Sequence, residues 1–222
     1  MSKQKAGRPE AVTNRPRKKT EGGYDRLPRD WYPEPAWCAH ALFREERFDL
    51  PAVFDPFCGL ARVLDGARRH GKRTEGADIF PQVKRGAGHV IRKVNSLGRR
   101  GQLFIPGAHT VTNCPFVAAD EILERMARGE LKAKAALFLR LSALQGKSRL
   151  LEKLPLSFVW VCRPRPACLP PEHKLRAPMR GNGGQIDFAW FVFDPAHDGS
   201  TWRGWWLSRD PHKQTYPAWH RR

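Results

Sequence analysis

Hydrophobic residues in this chain fall into short runs separated by turn residues, with longer amphipathic stretches between them. Residues 52–55, closed by Pro56, predict a short buried strand, and residues 73–79 a second. Residues 109–113 form the next, bounded by Pro106-Gly107 and Cys114-Pro115. Between these, residues 61–70 carry Val63, Leu64 and Ala67 on one side, and residues 118–129 carry Ile122, Leu123 and Met126, both at helical spacing. Residues 38–48 predict a further helix. Residues 134–141 read as a buried strand, although the run 131–144 also suits a helix. Residues 157–162 and 187–194, rich in aromatic and β-branched side chains, are the clearest strands. Residues 201–207, with Trp202, Trp205 and Trp206, add an edge strand. Residues 80–107 read as irregular, with a helical piece near 82–93. Strands alternating with helices, then closing in strands without one, predict an α/β domain with a mostly parallel, seven-stranded sheet. It ends in an antiparallel hairpin and carries helices on both faces.

A chain of 222 residues suits one such domain. Residues 24–210 are assigned to it, with residues 211–222 as a C-terminal tail. Residues 1–23 hold seven Lys or Arg against two Glu and almost no large apolar side chain, which predicts a disordered basic arm. The formal net charge is +18 and the pI about 10.4. A basic surplus of that size suits a polyanionic partner, because each neutralised phosphate releases counterions. The five cysteines are scattered and odd in number, and neither they nor the eight histidines have metal-ligand spacing. No metal and no disulfide framework are expected, which fits a reducing compartment. No apolar run approaches the roughly 18 residues of a membrane span, so a soluble cytoplasmic protein is expected.

Two stretches carry the candidate chemistry. In the first, the strand Val53-Phe54-Asp55 runs into Pro56-Phe57-Cys58-Gly59, and Asp78 follows nineteen residues after Gly59. A strand, an acid, a glycine turn and a second acid about 20 residues on is an arrangement that holds an adenosine-containing cofactor. Asp55, at the strand end, can accept from the α-amino group of S-adenosylmethionine, and Asp78 from both ribose hydroxyls. The second stretch is Asn113-Cys114-Pro115-Phe116, directly after a strand. An exocyclic amine on a base is a poor nucleophile because its lone pair is delocalised into the ring. A site that accepts both N–H hydrogens, at Asn113 Oδ1 and the Cys114 carbonyl, frees that pair, and Phe116 can stack on the extruded base.

Taken in order, Asp-Pro-Phe-Cys-Gly, Gly-Ala-Asp and Thr-Asn-Cys-Pro-Phe resemble the class I S-adenosylmethionine-dependent methyltransferases that act on amino groups of DNA bases. The chain is most similar to the compact phage and prophage DNA adenine-N6 methyltransferases, from about Asp30 to Trp206. Tyr32-Pro33-Glu34-Pro35-Ala36-Trp37 is similar to that family's Tyr-x-Pro-x-Pro-x-Trp entry segment. Phe188-Ala189-Trp190-Phe191-Val192-Phe193 resembles its Tyr-Ala-Trp-Phe-Val-Trp strand. The resemblance implies a Rossmann-like methyltransferase fold, S-adenosylmethionine as cofactor and DNA as partner. It implies cofactor contacts at Tyr32, Pro33, Trp37, Asp55, Phe57, Cys58, Gly59, Asp78 and, as the nearest match to an Asp-Phe-Leu segment, Asn95. The chain departs from the family at two places. Ala61 stands where a second glycine is usual, and Cys114 replaces the first proline of Asn-Pro-Pro-Phe/Tyr.

Flipping a base out of a duplex takes a few kcal/mol, which phosphate contacts must offset. Arg163, Arg165, Lys174, Arg176 and Arg180, on the loop 163–186, are the expected DNA contacts. Two alternatives stay open: a methyltransferase fold that binds DNA without turnover, and an enzyme whose target is RNA or a protein glutamine amide.

Overall fold

Ala52–Asp55 (β1) lies at the centre of the computed structural model, every residue of it buried. The described residues are 32–83, 87–146, 148–168 and 184–219. The basic arm, Lys174, Arg176 and Arg180 lie outside them. β1 pairs in parallel with Arg73–Asp78 (β2) on one side and with Ala108–Thr112 (β4) on the other. β2 carries Val90–Lys93 (β3) at the edge, and β4 carries Ala135–Arg140 (β5), all parallel. Phe188–Phe193 (β7) inserts antiparallel between β5 and Leu156–Arg163 (β6), and Arg203–Ser208 (β8) closes the far edge parallel to β6. The order is β3-β2-β1-β4-β5-β7-β6-β8, a Rossmann-like, mostly parallel sheet with β7 alone reversed.

The sheet has eight strands, not seven, because β3 occupies part of the stretch expected to be irregular or helical. β3 has only Val90 and Ile91 as apolar residues and is largely exposed, so it lacks a buried face's signature. What holds it is register with β2, where the bare Cα of Gly76 permits close approach: a Cβ there would lie 3.0 Å from Ile91 Cδ1 and 2.8 Å from Leu64 Cδ1. The ambiguous run 131–144 resolves as strand, since β5 is hydrogen-bonded on both sides and buried along its first five residues.

Helices cover both faces. Ala36–Glu45 (α1) and Arg62–Arg69 (α2) pack with Phe138, Trp160, Trp190 and Val192 on one side. Ala119–Ala127 (α3) and the short helices Ala143–Gly146 (α4) and Ser148–Leu151 (α5) pack with Leu137, Leu139, Phe191 and Phe193 on the other. The first core is strongly aromatic: Phe138 stacks on Phe188 at 5.0 Å and meets the Trp190 ring at 4.9 Å. Buried indole N–H groups need acceptors; Trp190 donates to the Cys38 carbonyl at 3.1 Å and Trp160 to Glu46 at 3.0 Å. Past β8 the chain packs back on the domain. Gln214 bonds the Ser208 amide and the Trp206 carbonyl, Trp205 donates to the Thr215 carbonyl, and Trp219 meets Phe158 and Trp205.

At the entrance to α2, Ala61 adopts φ 60° and ψ 24°, a left-handed conformation in which a Cβ costs roughly 1–2 kcal/mol. Its methyl is buried with Cys58 and Leu64, which returns about 0.8 kcal/mol. The strain is the larger quantity. Ala61→Gly is therefore expected to stabilise the domain by up to about 1 kcal/mol, read as a higher urea midpoint at unchanged m-value.

Candidate active site

The segments that leave the carboxyl ends of β1, β2, β3 and β4 surround one cavity of about 710 Å³. That is where an open α/β sheet has its crevice. Tyr32, Pro33, Asp55, Phe57, Cys58, Gly59, Asp78, Asn95, Asn113, Cys114, Pro115 and Phe116 all line it. Two stretches fifty residues apart thus meet across a single space.

On the β1–β2 side, Asp55 is 2 % exposed, and its Oδ1 accepts from Thr112 Oγ1 at 2.6 Å and from the Phe57 amide at 3.0 Å. Burial pushes its carboxyl up to about 8, and the nearby Glu34 and Asp78 carboxylates add to the rise. Both of these donors fall on Oδ1, so Oδ2 is the oxygen able to carry a proton when the carboxyl is neutral. Asp78 Oδ2 accepts from the Gly59 amide at 2.9 Å, and Oδ1 from the Phe80 amide at 2.7 Å. Each oxygen keeps a lone pair for a hydroxyl. Gly59 itself has φ 43°, which glycine adopts without penalty. Asn95 folds into its own turn, Oδ1 accepting from the Leu97 amide at 3.1 Å, and buried Ser96 anchors that turn to the Pro56 carbonyl at 2.7 Å.

On the β4 side, Asn113 Nδ2 donates to the Tyr32 carbonyl at 2.9 Å and to Glu34 Oε2 at 2.7 Å. Both amide hydrogens are used, so Oδ1 is the end left for a ligand. Phe116 opens a single 3-10 turn, Phe116–Ala118, and its ring centroid lies 6.3 Å from those of Tyr32 and Phe188. The Arg140 guanidinium lies 4.7 Å from the Phe116 ring centroid, and Arg140 Nε is buried with no partner among the described residues.

One expected cofactor contact stands elsewhere. Trp37 does not line the cavity: α1 starts at Ala36, and Trp37 packs against the aromatic core with Cys38 and Trp190. Arg163 and Arg165 leave the carboxyl end of β6, outside the cavity. Arg163 lies 6.0 Å from the Trp206 ring, and Arg165 pairs with Asp187 at 2.6 Å. Conversely, Glu34, Arg62 and Arg140 escape a reading by motif. The one signal for Glu34 is an acid held between two prolines, which fix the backbone on either side of it. Among the described residues, no helix is long and apolar enough to cross a membrane. No group of three His, Cys, Asp or Glu side chains is placed to hold a metal ion.

No family model and no curated protein matches the sequence. Solved structures similar to the chain include the 23S rRNA methyltransferase ErmE, with 11% identity over 75% of this chain and 70% of that one and a TM-score of 0.48. The M protein of the type I restriction enzyme EcoKI gives 14% identity over 74% and 44%, with a TM-score of 0.47. A precorrin-6y C5,15-methyltransferase from Geobacter metallireducens GS-15 gives 15% over 71% and 86%, with a TM-score of 0.46. At such distances these likenesses assign no activity to this chain.

Burial also lifts the Glu34 carboxyl to about 7, against the pull of the Asn113 hydrogen bond and the Arg62 charge. The folded state thus holds protons on Asp55 and Glu34 that an unfolded chain releases near 3.8 and 4.5. Their contribution is fully present below about pH 4 and is lost as pH rises toward 8. Urea denaturation at pH 5 and pH 8 is expected to show stability falling with pH, with a shallower fall in Asp55→Asn, which keeps the hydrogen bonds but has no proton to lose.

Proposed function

We propose that the chain is an S-adenosylmethionine-dependent methyltransferase that acts on the exocyclic N6 of adenine in DNA. The observation that carries this reading is the shared cavity, with Asp55 and Asp78 on one side and the outward Oδ1 of Asn113 beside Phe116 on the other. The residues present fit the cofactor. Asp55 meets an α-ammonium, Asp78 meets vicinal hydroxyls, and Ile79, Phe80 and Leu97 give an apolar wall for a purine. When bound, S-adenosylmethionine supplies an electrophilic methyl sulfonium. Asn113 Oδ1 and the Cys114 carbonyl accept the two N–H groups of the target amine and turn its lone pair out of conjugation. Phe116 stacks on the base. Positioning on this scale accounts for much of the acceleration such a site needs, so a strong general base is unnecessary. The net charge of +18 supports a nucleic-acid substrate.

Left-handed Ala61 and the missing first proline at Cys114 favour a second reading, a fold that binds nucleic acid without turnover. Transfer of labelled methyl from S-adenosylmethionine to duplex DNA, single-stranded DNA and RNA separates the two. Transfer to DNA is expected, reduced on the order of 100-fold or more in Asn113→Ala. Transfer to none of them, with salt-sensitive DNA binding intact, leaves the second reading; transfer unaffected by Asn113→Ala sinks the site.

Binding has its own signature. An ammonium group beside Asp55 favours the carboxylate, so cofactor binding at pH 7 is expected to release close to one proton. Calorimetry in buffers of different ionisation enthalpy reads that number, which should vanish in Asp55→Asn. Asp78→Ala should weaken binding by about tenfold or more, the equivalent of one hydrogen bond to a charged group.

A further inference from the structure

We infer that Glu34 is a positioning residue that fixes which end of the Asn113 amide faces the cavity, so that the site offers its substrate a hydrogen-bond acceptor and not a donor. A primary amide has two ends of nearly equal size and opposite hydrogen-bonding character. At Asn113 the choice is made by two acceptors on the nitrogen side, the Tyr32 carbonyl at 2.9 Å and Glu34 Oε2 at 2.7 Å. Turning the amide over would set Oδ1 against a carbonyl and a carboxylate, with two hydrogen bonds lost and two lone-pair contacts made.

The holder is itself held. Glu34 is 4 % exposed, sits between Pro33 and Pro35, whose rings fix the backbone on either side, and its carbonyl accepts from Arg62 at 2.6 Å. Pro35 is the N-cap of α1, so the side chain has a rigid base.

The consequence is a substrate class, and it deepens the proposed reading and rests on it. An outward acceptor suits a base with its amino group at purine C6 or pyrimidine C4, adenine or cytosine, and repels the carbonyl that guanine, thymine or uracil carries at that position. A site that leaves a buried acceptor unpaired discriminates strongly against the wrong partner. The hold on the amide is tighter when Glu34 is charged. As a carboxylate, Glu34 only accepts; once protonated it can also donate, and the Tyr32 carbonyl alone then opposes the reversed amide. The groups that face Glu34 are Asn113 from the β4 turn, Arg62 from α2, Asp55 from β1, Cys38 from α1 and Cys168 beyond β6. Arg62 favours the carboxylate, and burial opposes it, which puts the change near pH 7.

The side-chain amide resonances of Asn113 in a ¹⁵N-labelled full-length protein test this, assigned by their loss in Asn113→Asp. In the wild type they should shift with a midpoint near pH 7, and in Glu34→Gln they should be flat. Resonances that titrate equally in Glu34→Gln assign the change to Asp55 and overturn the inference, as does a wild-type signal that ignores pH. This readout needs no turnover, so it decides on Glu34 even if methyl transfer fails and the proposed activity falls. Where transfer is seen, Glu34→Gln should lose the rise of kcat through pH 7 with the cofactor KM unchanged, and Glu34→Ala should lower kcat about tenfold or more at every pH. A kcat profile in Glu34→Gln that matches the wild type also overturns it.

Discussion

A carboxyl group withdrawn from water at the end of β1 fixes the geometry of everything around it. Leaving Asp55 buried without partners would cost several kcal/mol, so the fold must bring it donors, and the donors come from two directions. The Phe57 amide turns the chain toward the glycine loop, and Thr112 Oγ1 reaches across from β4. The second bond matters most for function. Thr112 is the residue before Asn113, so the two walls of the cavity are joined through one side-chain contact of 2.6 Å. The transfer reaction proposed above needs its partners at a set separation, and a sheet register plus one hydrogen bond would fix it.

The entry segment supplies the second constraint. Tyr32 and Glu34 reach Asn113 from 81 and 79 residues away, and the Tyr32 ring stands beside Phe116. One short, proline-bounded piece of chain therefore orients both functional side chains of the β4 turn. With Cys114 ahead of it, Pro115 alone stiffens that turn from within. The clamp from outside supplies rigidity that the local sequence lacks.

Most of the sheet is legible in the sequence because its strands are buried on both faces and read as continuous apolar runs. β3 is not, because an exposed edge strand is specified by its neighbour and by the bare Cα of Gly76, not by its own side chains. The cavity's motif residues are legible because chemistry needs them at fixed spacing after particular strands. Glu34 is not: on paper it is one charged residue in a loop, and only burial beside Asn113 gives it a role. Trp37 errs in the opposite direction. Its place in a motif suggests a ligand wall, but the start of α1 one residue earlier turns it to the core. Arg163 and Arg165 show that charge content locates a basic edge, while the packing of Trp206 and the Asp187 carboxylate decides how each arginine sits on it.

The bond from Trp190 to the Cys38 carbonyl spans 152 residues, and β7, which carries Trp190, lies between two strands made before it. During synthesis, α1 and the clamp it bears leave the ribosome early but lack their anchor until β7 is released. β5 and β6 meanwhile stay unjoined, since β7 belongs between them in the finished sheet. Domains acquire their fold as units once the needed chain is available. For this one, the needed chain runs at least to β7, so a translation product interrupted before it holds the Asn113 turn without the Trp190 anchor of α1. The topology thus delays the finished site until β7 is made.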